Sequence, residues 1–306
     1  MRLVRFDGGD GTARVGILTE RGVVETAYDE MERLIDCWDE ARPELEQLAS
    51  EGKALEGARL LSPIARPRKI LCAAANYWEH AQRAPRPLYM FLKSSDAVIG
   101  PGDTIELPDY SEPWMFMHEA ELAVVLKGPA RHVAEEDWRG AVFGYTCFVD
   151  VSARGEGRAT WGDASWLGKS FDTFAPLGPC IATADEIADP NDLHVRFWDD
   201  GQLRHNYNTD DMEHRLPELV AWASARMTLN SGDVIACGTN HEGLGPLQDG
   251  ETVKIEIDGI GAMELHVRDP LKRSWERGVY MAADSTNHDA VRRHHPDRAH
   301  LLADGR

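Results

Sequence analysis

Apolar and polar positions alternate over residues 1–27, and the run is broken by the Gly-rich turns Gly8-Gly9-Asp10-Gly11 and Glu20-Arg21-Gly22. Period-two alternation between turn residues predicts short strands in hairpins. The spacing then changes. Met31, Leu34 and Ile35, followed by Leu45 and Leu48, recur at helical intervals in a stretch rich in Glu, Leu and Ala, which predicts one or two helices over 28–55. Pro63 and Pro67 mark a linker. Residues 1–66 therefore read as a small N-terminal α/β accessory domain.

From Lys69 the pattern becomes strand-like. Apolar runs at 69–74, 88–93, 121–126, 141–149, 193–198, 233–238, 252–257 and 263–268 are separated by turn signals at 99–103, 199–201, 230–233 and 248–251. One clear helix is predicted, over 217–227. This makes residues 67–272 a mixed, β-rich α+β body. A rolled mixed β-sheet fits it better than the strict alternation of a Rossmann fold or TIM barrel. Residues 273–306 lose periodicity and read as a polar C-terminal tail, solvated or packed on a partner. Four histidines lie there, His288, His294, His295 and His300, and a metal-binding role for them is the lesser reading.

Composition narrows the function classes. The 306 residues are 42% hydrophobic and 28% charged, ordinary values for a globular chain that can bury a sizeable core. The formal net charge of -19 disfavours a nucleic-acid partner and an anionic membrane surface. Five dispersed cysteines, Cys37, Cys72, Cys147, Cys180 and Cys237, form no CxxC pair and fit reduced thiols. With no apolar leader at the N-terminus and no membrane-length run, a cytoplasmic location is expected.

The sharpest chemical feature is His118-Glu119-Ala120-Glu121-Leu122-Ala123-Val124-Val125. Residues two apart on a strand share a face, so Glu119 and Glu121 point the same way beside a run apolar enough to be buried. Two like charges on a half-buried face repel, and a divalent cation relieves both the repulsion and the burial cost. From spacing alone, a solvent-facing edge with two free carboxylates fits equally well. Asp150, at the end of the apolar run 141–149, offers a third oxygen donor. Such a set suits Mg²⁺ or Mn²⁺ and leaves positions open for substrate and water. No zinc-like Cys/His spacing is present. His118 is expected to face away from Glu119.

Ten stretches fall in order along the chain: Asn76-Tyr77-Trp78-Glu79-His80, Phe91-Leu92-Lys93, Gly100-Pro101-Gly102-Asp103, Glu119-Ala120-Glu121-Leu122, Gly144-Tyr145, Asp150-Val151-Ser152-Ala153-Arg154, 168–174, Pro176-Leu177-Gly178-Pro179, Gly232-Asp233-Val234-Ile235 and Gly238-Thr239. Together they resemble the catalytic domain of the fumarylacetoacetate hydrolase superfamily, over roughly 68–269. The resemblance implies a rolled mixed-sheet fold, a homodimer, and a soluble metal-dependent enzyme acting on a small 2-oxo acid. It implies that Glu119, Glu121 and Asp150 hold the metal. Lys169 and Arg154 would serve the reacting oxygens and the site. Thr239 and Gly238, with neighbouring His241 and with Tyr77 of the Asn-Tyr motif, would bind substrate. His80 would be the general base on a lid.

The chain departs from the family pattern at three places. Arg83 stands where a glutamate usually pairs with the lid histidine, Gly157 replaces a glutamine, and Gly238-Thr239-Asn240-His241 replaces Gly-Thr-Pro. Glu79 or another acid is a candidate substitute. The expected reaction is hydrolytic cleavage of a C–C bond in an acylpyruvate-like 2,4-dioxo acid through a metal-stabilised enolate. Decarboxylation and isomerisation are the alternatives within the enzyme class. A non-catalytic small-molecule-binding module on the same fold is the alternative outside it.

Overall fold

The structure, a computed structural model, describes residues 1–79, 83–109, 114–155 and 167–275. His80, Glu156, Gly157 and the tail beyond Trp275 lie outside the described residues, as does the side chain of Arg154.

Two apolar runs set the centre of the molecule. The strands Ala120–Leu126 and Val142–Val149 are buried at every position and pair antiparallel, from Ala120 opposite Val149 to Leu126 opposite Val142. A near-continuous apolar run, rather than an alternating one, is what a strand covered on both faces requires. Leu122, Val124 and Leu126 join one core with Phe197, Leu219, Val253 and Ile255. Ala123 and Val125 face a second core with Met31, Leu34, Ile35 and Trp38. Fully burying each Leu or Ile is worth about 1.5–3 kcal/mol. These two cores stabilise the sheet and offset the cost of the charges buried at its end.

Among the described residues the main sheet has twelve strands and is mixed. Val234–Ala236 lies antiparallel beside Ala120–Leu126 and parallel to Ile70–Ala73, which carries Met90–Lys93 on its far side. A five-stranded sheet that includes His194–Asp199, Thr252–Ile257 and Gly261–Arg268 packs against it. The helix Leu216–Arg226, with a proline in its first turn, covers the same side. The fold is thus the sheet-rich mixed class expected from sequence.

The first segment forms its predicted hairpin strands and two helices, Met31–Asp36 and Trp38–Glu51. Its strand Arg2–Asp7 pairs with Ala175–Thr183, so these strands extend the main sheet. Ala175–Thr183 was not among the predicted strands, yet it is buried along its whole length and pairs with Val142–Val149. Pro176, Gly178 and Pro179 disguise it, because proline and glycine within a run argue locally against a strand. The polar strand Gln202–Asn208 escaped for the opposite reason, having too little apolar alternation to be seen.

Candidate metal centre

Strand register brings the acids together. Ala120 lies opposite Val149, and just beyond that pair the Asp150 backbone N–H donates to the Glu119 carbonyl oxygen at 2.9 Å. Cross-strand neighbours project to one face, so Asp150 joins Glu119 and Glu121. Glu119, Glu121 and Asp150 are only 5%, 1% and 1% exposed, and one carboxylate oxygen from each lies within 4.8 Å of the other two. The burial settles the choice left open by spacing: this is no solvent-facing edge.

Two lysines meet the cluster. Lys169 Nζ donates to Glu119 Oε2 at 2.8 Å and to Asp150 Oδ2 at 2.9 Å, and it also bonds the Ser152 hydroxyl. Ser152 Oγ in turn donates to Glu119 Oε1 at 3.0 Å. Lys93 Nζ, fully buried, bonds Asp150 Oδ1 and the Val151 carbonyl, the latter at 3.1 Å. Glu121 has a different partner: the Gly238 backbone N–H donates to its Oε2 at 2.7 Å. Burial, and then the charges of Asp150 and Glu119, push the Glu121 carboxyl well above the usual carboxylate range.

Both ammonium groups bond Glu119 or Asp150, which leaves Glu121 with a backbone N–H and no cation of its own. A compact set of oxygen donors with one carboxyl lacking a cationic partner fits a divalent cation such as Mg²⁺ or Mn²⁺. The donor set contains no thiolate or imidazole, which separates it from a zinc site.

The substrate candidates divide. Gly238 takes a φ of +86°, and a Cβ there would meet the Asn76 Cβ at 2.9 Å and the Ala73 carbonyl oxygen at 3.0 Å, so only glycine fits. Thr239 is buried beside it, its hydroxyl 3.3 Å from the Asn240 carbonyl oxygen. Tyr77 is placed deep in the core, edge-on to Tyr207 with ring centroids 5.0 Å apart. His118 turns away from the acids to stack on Phe197, and its Nδ1 lies 3.0 Å from His205 Nε2. Burial lowers the pKa of both imidazoles, that of His205 to about 4.

His241 and Glu79 come together. His241 Nδ1 lies 2.5 Å from Glu79 Oε1, which also accepts the His241 backbone N–H at 2.9 Å. Burial works to raise the Glu79 carboxyl, but these His241 bonds outweigh it and hold it below its ordinary value. Arg83 forms a two-pronged pair with Glu213, at 2.9 and 2.5 Å, and lies 5.3 Å from the centre of the Trp78 ring.

Lys93, Ser152 and Asp211 have no role predicted from the sequence. Lys93 carried a signal nonetheless, as a lysine closing an apolar strand run. Asp211 accepts the Glu79 backbone N–H and the Asn240 side-chain amide, each at 3.1 Å, and nothing in its local sequence announces that role.

Residues 69–268 match the family model for the C-terminal domain of fumarylacetoacetate (FAA) hydrolase. A mitochondrial oxaloacetate tautomerase, fahd2, of Xenopus laevis is 36% identical over 288 residues, covering 86% of this chain and 89% of that protein. A crystal structure of maleylpyruvate hydrolase from Sphingobium sp. SYK-6, in complex with manganese(II) and pyruvate, superposes with a TM-score of 0.77 at 35% identity. It covers 88% of this chain and 99% of that one. The 5-carboxymethyl-2-hydroxymuconate delta-isomerase of Mycobacterium smegmatis superposes with a TM-score of 0.72 at 34% identity, over 88% of this chain and all of that one. No helix among the described residues is long and apolar enough to cross a membrane. The ordered motifs, the sheet they build and the match over 69–268 lead to one conclusion: the chain belongs to the fumarylacetoacetate hydrolase family.

Proposed function

We propose that the protein is a divalent-metal-dependent hydrolase that cleaves a C–C bond in a small 2,4-dioxo acid. The observation that carries this reading is the buried cluster of Glu119, Glu121 and Asp150, with Lys169 bridging two of them. Glu119, Glu121 and Asp150 would hold the cation. When bound, the cation supplies Lewis-acid polarisation of the 2-oxo carbonyl.

The chain's own groups supply the rest. The Lys169 ammonium is a fixed positive charge beside Glu119 and Asp150, positioned to stabilise negative charge developing on a substrate oxygen. Lys93 holds Asp150 from below and keeps its oxygen aimed at the cluster. Gly238 commits its N–H to Glu121, and the buried Thr239 hydroxyl beside it would anchor the substrate carboxylate. The similarity to a maleylpyruvate hydrolase with manganese(II) and pyruvate supports this reading, since pyruvate is the fragment released when water splits a 2,4-dioxo acid.

A second reading is keto–enol tautomerisation of a 2-oxo diacid. It is favoured by the Xenopus tautomerase relative and by Arg83 at the usual lid-glutamate position. The test is an NMR assay of an acylpyruvate and of oxaloacetate with Mn²⁺, with Mg²⁺ and with EDTA. Metal-dependent appearance of pyruvate and a second acid supports hydrolysis. Accelerated enol–keto interconversion of oxaloacetate, with the acylpyruvate left intact, replaces it with the second reading. Full activity in EDTA sinks both.

A further inference from the structure

We infer that Glu79 and His241 form the acid–base pair of this site, with His241 Nε2 as the atom that moves the proton and Glu79 as the residue that positions it. The inference rests on the metal-dependent reading above and deepens it.

The geometry has three parts. First, Glu79 Oε1 accepts from both the backbone N–H and Nδ1 of His241. A carboxylate on Nδ1 holds the proton there and leaves the lone pair on Nε2. Among the described residues His241 Nε2 meets no hydrogen-bond partner. The side chains of His241 and Glu79 are 26% and 19% exposed, so the pair sits at a rim rather than in the core.

Second, the loop bearing His241 is tied at both ends to the strand that carries the metal ligands. At its start Gly238 donates to Glu121. At its end the His118 backbone N–H reaches the Gly245 carbonyl oxygen at 3.4 Å, one residue before Glu119. Between them His205 Nδ1 lies 3.1 Å from the Asn240 carbonyl oxygen. The loop that carries His241 is therefore anchored to the segment that carries Glu119 and Glu121.

Third, Glu79 is held in a backbone conformation that only its surroundings can enforce. Its φ is +53°, a sparsely populated region for a side-chain-bearing residue. Asp211 fixes it by accepting both the Glu79 N–H and the Asn240 side chain. The pair takes the place of a glutamate at the Arg83 position, because the Arg83 side chain is directed to Glu213 instead.

In hydrolysis the proton path balances as follows. His241 Nε2 takes a proton from water while the water oxygen bonds to the distal carbonyl carbon. The bond from that carbon to C3 breaks with its electron pair left on C3. The same proton returns to C3, giving pyruvate and a carboxylic acid. The exchange of a C3 proton of pyruvate itself uses the same atom.

The experiment compares the full-length wild type with His241→Gln, His241→Ala and Glu79→Gln. The readouts are turnover, Mn²⁺ affinity, deuterium uptake into pyruvate C3, and the ¹⁵N signals of the His241 ring. His241→Gln and His241→Ala should lose roughly 10²–10⁴-fold in kcat, the usual share of a general base, with KM and Mn²⁺ affinity kept. Deuterium uptake should fall with kcat, and added imidazole should partly rescue His241→Ala. Glu79→Gln should lose a smaller factor, also in kcat. The wild-type spectrum should show Nδ1 protonated and Nε2 bare, and the assignment should weaken in Glu79→Gln. Wild type and His241→Gln turning over at matched rates overturns this inference alone, as does a ring protonated on Nε2. Loss of Mn²⁺ affinity in step with turnover overturns it too, by making the role structural. A wild type inert with Mn²⁺ on the whole panel overturns the functional reading and this inference with it.

Discussion

At the end of the main sheet, Glu119, Glu121 and Asp150 share two lysines, Lys93 and Lys169. On the loop that leads into the helix Leu216–Arg226, a single carboxylate, Glu213, takes bonds from two arginines, Arg83 and Arg86. Both clusters bury carboxylates, and their titration is pushed in opposite directions. Burial and like charge drive Glu121 up, whereas at Glu213 burial is outweighed by its arginine partners and the pKa falls to about 2. Burial of charge is therefore not what distinguishes a candidate site from a structural clamp. The balance between carboxyl groups and cations does so. The first cluster has too few cations of its own, and the second has more than it needs.

The largest effect should come from removing an acid where acids are in surplus. Glu121→Gln should abolish Mn²⁺ binding and reduce turnover to background, yet leave the chelated protein as stable as wild type or more so. Calorimetric titration with Mn²⁺ and melting in EDTA check both halves. A chelated variant that melts well below wild type would break the comparison, because Glu121 would then be structurally balanced already.

Lys169→Met should come next. Loss of a fixed charge facing developing negative charge lowers kcat by roughly 10²–10³-fold. The variant should also raise affinity for Mn²⁺, since Glu119 and Asp150 then lose an ammonium group that competes with the metal. Steady-state kinetics with a metal titration separate the two effects.

At the clamp, Glu213→Gln should cost about 1–3 kcal/mol of stability, toward the low end because Arg83 and Arg86 are partly exposed. Its sign with pH is fixed by the depressed pKa. The native contribution is present above the unfolded value of about 4.3 and is lost as pH falls toward 2. Urea melts of wild type and Glu213→Gln should therefore differ at neutral pH and converge between about pH 4 and 2. The smallest effect belongs to Arg83→Ala. With Arg86 still in place it should cost only about 0.5–1 kcal/mol, measured by the same melts. A loss as large as that of Glu213→Gln would show that the second arginine is not redundant.

The amino-acid sequence was enough for whatever repeats along the chain. Unbroken apolar runs gave the central strands, helical spacing gave Met31–Asp36 and Trp38–Glu51, and the two-residue interval placed Glu119 and Glu121 on one face. The ordered motifs gave the family. These signals are local, because side-chain period is a property of the backbone of a single segment. The tertiary structure decided what depends on which segments meet. It drew the Pro-containing Ala175–Thr183 into the middle of the sheet, where burial outweighs local propensity. It set Asp150 beside Glu119 through cross-strand register, and it buried Lys93 under Asp150. It also joined Glu79 to His241 across 162 residues. No periodicity encodes such a pairing, since it is fixed only when the 238–246 loop is anchored at Glu121 and His118 by the packing of the whole sheet.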